Sequence, residues 1–307
     1  MKRTLIMLVV LLAATPIAHS DIDTTRATLR AHVLRLINRD RALYKLPPVQ
    51  LDEQATLIGD DYCRAQIRNR TTGHYTIDGV APYARYSFAG GNDAVSENAA
   101  AWSATYTFNE KALYEMVRRS QDAMMAEMAP ADGHKRTMLD PHATHVGVGL
   151  AWEGGEFRLV QEFVRRYVDW TRALPRTAAL DQTVLLSGKA LRGVSVEGIT
   201  VHHEPLPQPI AATTASAISF YSLPDKRREY APRARAPHGL SLARRTDFTL
   251  RNDGTFSFIV PFSDGPGLYT VVVWVKKDGE PNAFSASNVS IRVEGGLQSA
   301  ARASALK

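Results

Sequence analysis

The sequence contains a single cysteine, Cys63, among 307 residues. One thiol excludes an intramolecular disulfide, so packing alone must stabilise the folded chain. The position of Cys63 in an amphipathic helical pattern predicts that the thiol is buried. A cysteine-protease mechanism is therefore not expected, because it needs an accessible thiolate beside a histidine.

The sequence also lacks an apolar run long enough to span a membrane. Its most apolar run, residues 5–14, is too short to cross a bilayer core of about 30 Å. It follows Lys2 and Arg3 and leads to small residues before Asp21, which is the pattern of a secretory signal peptide. We predict that residues 1–20 are a signal peptide. The protein is then secreted, periplasmic or at the cell surface, with no transmembrane span after cleavage.

Catalytic signatures are absent as well. The sequence has no Gly-x-Ser-x-Gly elbow, no His-Glu-x-x-His motif, no phosphate-binding loop and no complete dinucleotide fingerprint. The formal net charge is only +6. The most basic segment, residues 226–245, contains two prolines and few apolar residues. It is interpreted as a solvated loop, so no nucleic-acid partner is expected.

The first half of the chain has a mainly helical pattern that ends in strands. A first helix carries Leu29 and Val33 on its apolar face, with Asp23 and Thr24 as candidate caps, and stops before Pro47. Further helices are predicted over residues 52–70 and 109–128. An antiparallel hairpin around Gly154-Gly155 follows. This pattern predicts an α+β layer structure.

The second half consists of short β runs, among them residues 217–223, and has no long helical pattern. A strong hairpin signal, Asp253-Gly254, supports a β-sandwich. The predicted division is a first domain over 21–170, a linker over 171–180, a β-sandwich-like domain over 181–296 and a flexible tail over 297–307.

Several motifs of the first half occur in a characteristic order. Together they resemble the CAP superfamily of cysteine-rich secretory, antigen 5 and pathogenesis-related proteins, especially its bacterial branch, over about residues 28–168. The matching residues are Asn38, Arg41, Pro47 and Pro48; His74, Asp78-Gly79, Pro82 and Arg85; Glu97-Asn98; and Gly133-His134 followed by Gly147-Val148-Gly149.

The resemblance implies an α-β-α sandwich in which His74, Glu97 and His134 face one cleft. Asn98, counted with the cleft residues, is expected to cap or brace the loop after its strand rather than to contact a ligand. Two imidazoles and a carboxylate suit a divalent metal such as zinc, so these three residues are candidate metal ligands. The family often has a second glutamate, expected near Ala131, whereas Glu127 lies about one turn away. A purely structural role, in which these side chains tie helices to the sheet, stays open.

Three functions are considered for a cleft of this composition. The first is a non-enzymatic binding protein for a lipid, an envelope component or a protein partner. The second is a metal-dependent hydrolase of envelope polymer, peptide or nucleic acid, and the third is a structural envelope component. For an apolar ligand, the alanine-rich stretch over residues 97–108 is expected to line one wall of the cleft.

Overall fold

The computed structural model describes residues 17–191, 193–232 and 246–295. Most of the predicted signal peptide, residues 233–245 of the basic segment and the predicted C-terminal tail lie outside this described part. Among the described helices, none combines the length and the apolar character needed to cross a bilayer.

The first half of the chain forms a four-stranded sheet in the order β1-β3-β4-β2. Strand β1 runs parallel to β3, and the other neighbours are antiparallel. The elements are α1 (Ile17–Leu43), β1 (Gln50–Leu51), α2 (Glu53–Asn69), α3 (Pro82–Phe88), β2 (Ala94–Ser103), α4 (Glu110–Ala126), α5 (Gly133–Met138), β3 (His145–Glu153) and β4 (Glu156–Arg165).

Helices cover both faces of this sheet. Helices α1, α4 and α5 pack on one face through a core that includes Val33, Val117 and Phe163. Helices α2 and α3 lie on the other face, where Cys63 packs against Val160 and is fully buried. The predicted α-β-α sandwich is therefore confirmed, as are the hairpin between β3 and β4 and the burial of the thiol.

The helix boundaries follow local rules with one correction. Asp52 caps α2 by accepting a bond from the Ala55 amide, and Asn109 caps α4 in the same way. In contrast, α1 already begins at Ile17. Asp23 and Thr24 therefore lie inside this helix, and their prediction as caps was wrong.

The two glycines of the Gly147-Val148-Gly149 motif allow α2 to contact β3 directly. A Cβ atom at Gly149 would lie 2.2 Å from the carbonyl carbon of Gly59, and one at Gly147 would lie 2.4 Å from that of Ala55. Neither backbone atom can move independently of its helix. The motif is thus a packing requirement between helix and sheet.

Asn38 and Arg41 of the first motif are also structural. The Asn38 amide exchanges two hydrogen bonds with the backbone of Val49. The fully buried Arg41 guanidinium donates to the carbonyls of Pro47, Met138 and Asp140. These bonds connect the end of α1 to the turn after it and to the turn before β3.

The second half forms a sheet in the order β5-β7-β11-β10-β9-β8-β12-β13-β6. It folds back on itself at β10, which pairs with β9 through its first residues and with β11 through its last. A single apolar core lies between the two layers. The elements are β5 (Val168–Trp170), β6 (Thr177–Ala179), β7 (Thr183–Ala190), β8 (Val194–Glu204), α6 (Ala212–Ala217), β9 (Arg227–Pro232), β10 (Thr246–Leu250), β11 (Thr255–Pro261), β12 (Gly267–Lys277) and β13 (Ala283–Glu294).

Three details of the second half differ from the sequence expectation. Residues 218–223 form no strand, and the basic segment starts as β9 instead of a loop. Strand β5 lies in the range predicted for the first domain, yet it pairs with β7 of the second sheet. The division into two domains stays a prediction.

Residues 205–223, here called the strap, leave the second sheet and cross the first half of the chain. Ile210 donates its amide to the Ile77 carbonyl at 2.8 Å, and the Thr72 amide donates to the Ser216 hydroxyl at 3.1 Å. Gly79, which has a φ of +75°, makes room for the strap, because a Cβ atom there would lie 2.3 Å from the Gln208 carbonyl oxygen. These contacts hold the strap against the first half of the chain.

The glycine packing leads to a stability prediction. We expect Gly149→Ala to lower the free energy of unfolding by about 1–3 kcal/mol, because the added methyl group overpacks the contact between β3 and α2. Urea unfolding of the wild type and the variant measures this loss. Gly133→Ala is the matched control, since a Cβ atom there meets nothing within 4 Å; equal losses in both variants would contradict this account.

Candidate binding cleft

A cleft of about 990 Å³ opens where the edge strand β2, helix α5 and the strap meet. His74, Glu97, Asn98 and His134 all line it. The structure therefore brings all four predicted site residues to one cleft, although they are spread over a large part of the sequence.

The base of the cleft is organised around the buried guanidinium of Arg85. It forms ion pairs with Glu97 and with Glu162, the latter at 3.1 Å, and donates to the His74 carbonyl at 3.0 Å. Its carbon lies 3.7 Å from the ring centre of Tyr62. One cation thus joins α2, α3, β2, β4 and the segment that carries His74.

Glu97 and Glu162 occupy directly opposed positions on β2 and β4, and both are fully buried or nearly so. Burial raises the pKa of both carboxyl groups, and the neighbouring Glu97 raises the pKa of Glu162 further, to well above its usual value. Burial alone would lower the pKa of Arg85, but the two carboxylates outweigh it and raise that pKa. The arrangement suits an ionised Glu97 and a protonated Glu162.

His74 is neutral in this environment. Burial, and then the positive charge of Arg85, lower its pKa to about 4. Its Nδ1 lies 2.8 Å from Glu97 Oε1, so a neutral ring that donates there keeps its proton on Nδ1. Nε2 then remains as an acceptor.

His134 has a similar partner in Glu127. The Glu127 carboxylate contacts His134 Nδ1 and also accepts the backbone amide of His134 at 2.9 Å. Glu127 therefore pairs with His134 despite its shift from the position that the motif predicts. The ring centres of the two histidines lie 6.3 Å apart.

The two histidines approach each other around the edge of β2. Glu97, the partner of His74, faces α2, whereas the next residue, Asn98, faces the opposite side and donates to the His134 carbonyl at 3.0 Å. Asn98 is fully buried, and its bond joins β2 to the first turn of α5 rather than to the loop after β2. His74 and His134 lie on opposite faces of the sheet but can approach each other, because β2 is the edge strand and no further described strand separates them.

The proposed metal ligands can be tested against these contacts. Both oxygens of Glu97 are engaged, one by His74 and one by Arg85, so Glu97 orients the imidazole as a second-layer carboxylate does. Within the described residues, no three His, Cys, Asp or Glu side chains form a group that fits a metal ion. Protein-bound zinc normally takes at least three such ligands. The donor set therefore does not fit zinc well, and metal binding stays a prediction.

Tyr221 of the strap completes the base of the cleft. Its hydroxyl accepts the Glu97 amide at 2.6 Å, and its ring meets the His74 ring edge to face at 5.1 Å. Burial raises the pKa of the Tyr221 phenol. Sequence reasoning missed this residue, since only the fold brings it near Glu97. Glu162 had a weaker signal, a charged residue within the apolar run of β4.

A smaller chamber of about 230 Å³ adjoins the cleft and shares His74, His134 and Ser219 with it. Ala99, Ala100 and Ala101 of β2 line one side of this chamber, and strap residues line the other.

The pKa of His74 predicts a pH effect on stability. Unfolding restores an ordinary histidine with a pKa near 6.5, so the unfolded chain binds a proton that the folded chain excludes between pH 6.5 and 4. Stability should fall with decreasing pH in that window, by roughly 3 kcal/mol at most. His74→Gln keeps a neutral hydrogen-bond donor for Glu97 and removes the contribution of His74 to the pH dependence of stability.

Urea unfolding of the wild type and His74→Gln at pH 7.5 and pH 4.5 measures the difference. The variant should lose less stability than the wild type on acidification. Identical losses would mean that His74 does not titrate as its burial predicts.

Comparisons with known proteins agree with the motifs. The model of the Cysteine-rich secretory protein family, CAP, matches residues 34–163. Similar solved structures include an extracellular protein containing an SCP domain from Bacillus anthracis, with 17% identity and a TM-score of 0.34 over 44% of this chain and 40% of that one. The CAP domain of enterococcal PrgA has 17% identity and a TM-score of 0.31 over 43% of this chain and 58% of that one.

This chain thus spans less than two thirds of either structure. No match was found among curated proteins. The family match and the ordered motifs confirm the resemblance for the first half: residues 34–163 of this chain form a CAP domain.

Proposed function

We propose that this protein is exported and binds a partner protein, without catalysis, by pairing an extended segment of that partner with the free edge of β2. The pattern of residues 1–20 supports export. One observation carries the binding proposal. The backbone N–H and C=O groups of Ala99 and Ala101 face away from β4, and both residues line the alanine-lined chamber.

The direction of these backbone groups follows from their neighbours on the same strand. The amides of Val95 and Glu97 donate to Asn288 Oδ1 at 2.9 Å and to the Tyr221 hydroxyl at 2.6 Å, on the side away from β4. Because backbone groups alternate in direction along a strand, Ala99 and Ala101 present theirs on the same side. In the described ranges, no strand pairs with β2 on that side.

The second half of the chain therefore occupies part of this edge and leaves the next part open. An exposed edge pairs readily with another chain, and the addition of a peptide strand to an edge is a general mode of recognition. A paired peptide strand would lie at the usual strand spacing of about 4.8 Å. Backbone bonds would supply affinity, and the cleft with its two histidines would supply specificity.

A lipid or another small amphipathic envelope molecule is the second candidate. The alanine-lined chamber is continuous with a mouth that carries charged residues, including Glu127 and Lys135, so it suits a ligand with an apolar end and a polar end. Mass spectrometry of organic extracts from the purified protein identifies such a molecule if one is bound. The metal-dependent hydrolase has less support, given the poor fit of the donor set to zinc.

Proline substitutions test the edge directly. Ala101→Pro removes an outward amide but none of the bonds between β2 and β4, so we expect the fold to persist, as proline is tolerated on edge strands. Loss of one backbone bond should weaken peptide binding by about threefold to tenfold. Peptides enriched from a random 12-residue library on the wild type, titrated by calorimetry, give the comparison.

Ala100→Pro is the matched control, because the Ala100 amide faces β4. It should destabilise the fold more than Ala101→Pro does, because it removes a ladder hydrogen bond between β2 and β4. The proposal fails if no peptide is enriched, or if the enriched peptides bind Ala101→Pro as tightly as the wild type. A third candidate, a purely structural envelope component, predicts that no peptide is enriched.

A further inference from the structure

The second half has a groove of its own, which shares no lining residue with the cleft. It has a volume of about 570 Å³ and lies on the outer face of the sandwich, across the neighbouring strands β9, β8 and β12. Its lining includes Gly198, Thr200, His202, Arg227, Glu229 and Trp274.

A chain of hydrogen bonds holds the indole of Trp274 in place. Its Nε1 donates to the Thr200 hydroxyl at 2.9 Å, and that hydroxyl lies 3.0 Å from His202 Nε2. His202 Nδ1 lies 2.7 Å from the Pro224 carbonyl oxygen, so Nδ1 is the donor and Nε2 accepts from Thr200. The indole is therefore oriented before any ligand arrives, which limits the entropy lost on binding.

Open space lies beside this indole because the paired position on β8 is a glycine. Gly198 is the direct neighbour of Trp274 in the strand register. A Cβ atom at Gly198 would meet only the Tyr230 carbonyl oxygen, at 3.4 Å. The floor of the groove is thus bare backbone, and one wall is aromatic.

The opposite wall carries a guanidinium and a carboxylate. Arg227 and Glu229 are paired, with Nε and Oε1 3.0 Å apart. Their charges offset each other, and Glu197, which also lines the groove, adds one carboxylate, so the lining has no excess positive charge to attract an anionic ligand. The pair still offers further N–H donors and carboxylate lone pairs, which match hydroxyl groups that both donate and accept.

We infer that this groove binds a neutral oligosaccharide, with the C–H face of one pyranose ring on the indole of Trp274 and neighbouring hydroxyls bonded to Arg227 and Glu229. An aromatic wall with a few oriented polar groups is the usual composition of a small-molecule site. Neutral sugar rings combine an apolar face with a polar rim in the same way. The second half is then a glycan-binding module beside the CAP domain.

Calorimetric titration of the full chain with cellohexaose, chitohexaose, maltohexaose and mannohexaose tests this inference. We expect at least one of these to bind. Gly198→Val fills the open floor with a residue that strands favour, and Trp274→Ala removes the aromatic wall. Each should weaken binding at least tenfold.

Leu185→Val, at an exposed position of β7 on the other layer, should leave binding unchanged. Gly198→Val keeps the test valid if Trp274→Ala fails to fold, since a Cβ atom at Gly198 meets only the Tyr230 carbonyl oxygen, at 3.4 Å. Binding of none of the four sugars, or unchanged affinity in the folded groove variants, would overturn the inference.

Discussion

The first half of this protein depends on one buried cation. Arg85 is enclosed by Glu97, Glu162, Tyr62 and the carbonyl of His74. Removal of the guanidinium would leave two carboxyl groups buried without compensation, which typically costs several kcal/mol. The same cation helps to keep Glu97 ionised and His74 neutral, so the constraint that holds the elements together also determines the protonation of the cleft.

The second half contributes residues to the candidate cleft. Its strap supplies Tyr221 at the base of the cleft, and Asn288 of β13 caps the edge of β2 beside it. Further contacts join the halves, such as the hydrogen bond from Tyr83 to Glu204 and the stacking of the His142 ring on Phe284. The length of β2 edge that stays open is therefore decided by the second half of the chain.

Much of the fold was predictable, because its signals are local. The caps Asp52 and Asn109, the helix periodicity and the hairpin glycines act within a few residues. The motif glycines were recognised in the sequence, but their structural role was not. Gly149 lacks a Cβ atom that would clash with the backbone of Gly59, and Gly79 lacks one that would clash with the strap. Residues 218–223 have a strand-like pattern, yet Tyr221 finds its partners in the cleft, and these long-range contacts override local propensity.

The sequence by itself determined the class of both halves, the CAP resemblance and the four residues His74, Glu97, Asn98 and His134 of the cleft, since motif order and periodicity are properties of the chain. Only the tertiary structure decided the partners of those residues. Glu97 binds Arg85 and His74, Glu127 reaches His134, and Tyr221 closes the base. Such pairings depend on distances between elements far apart in sequence, and no local pattern records those distances.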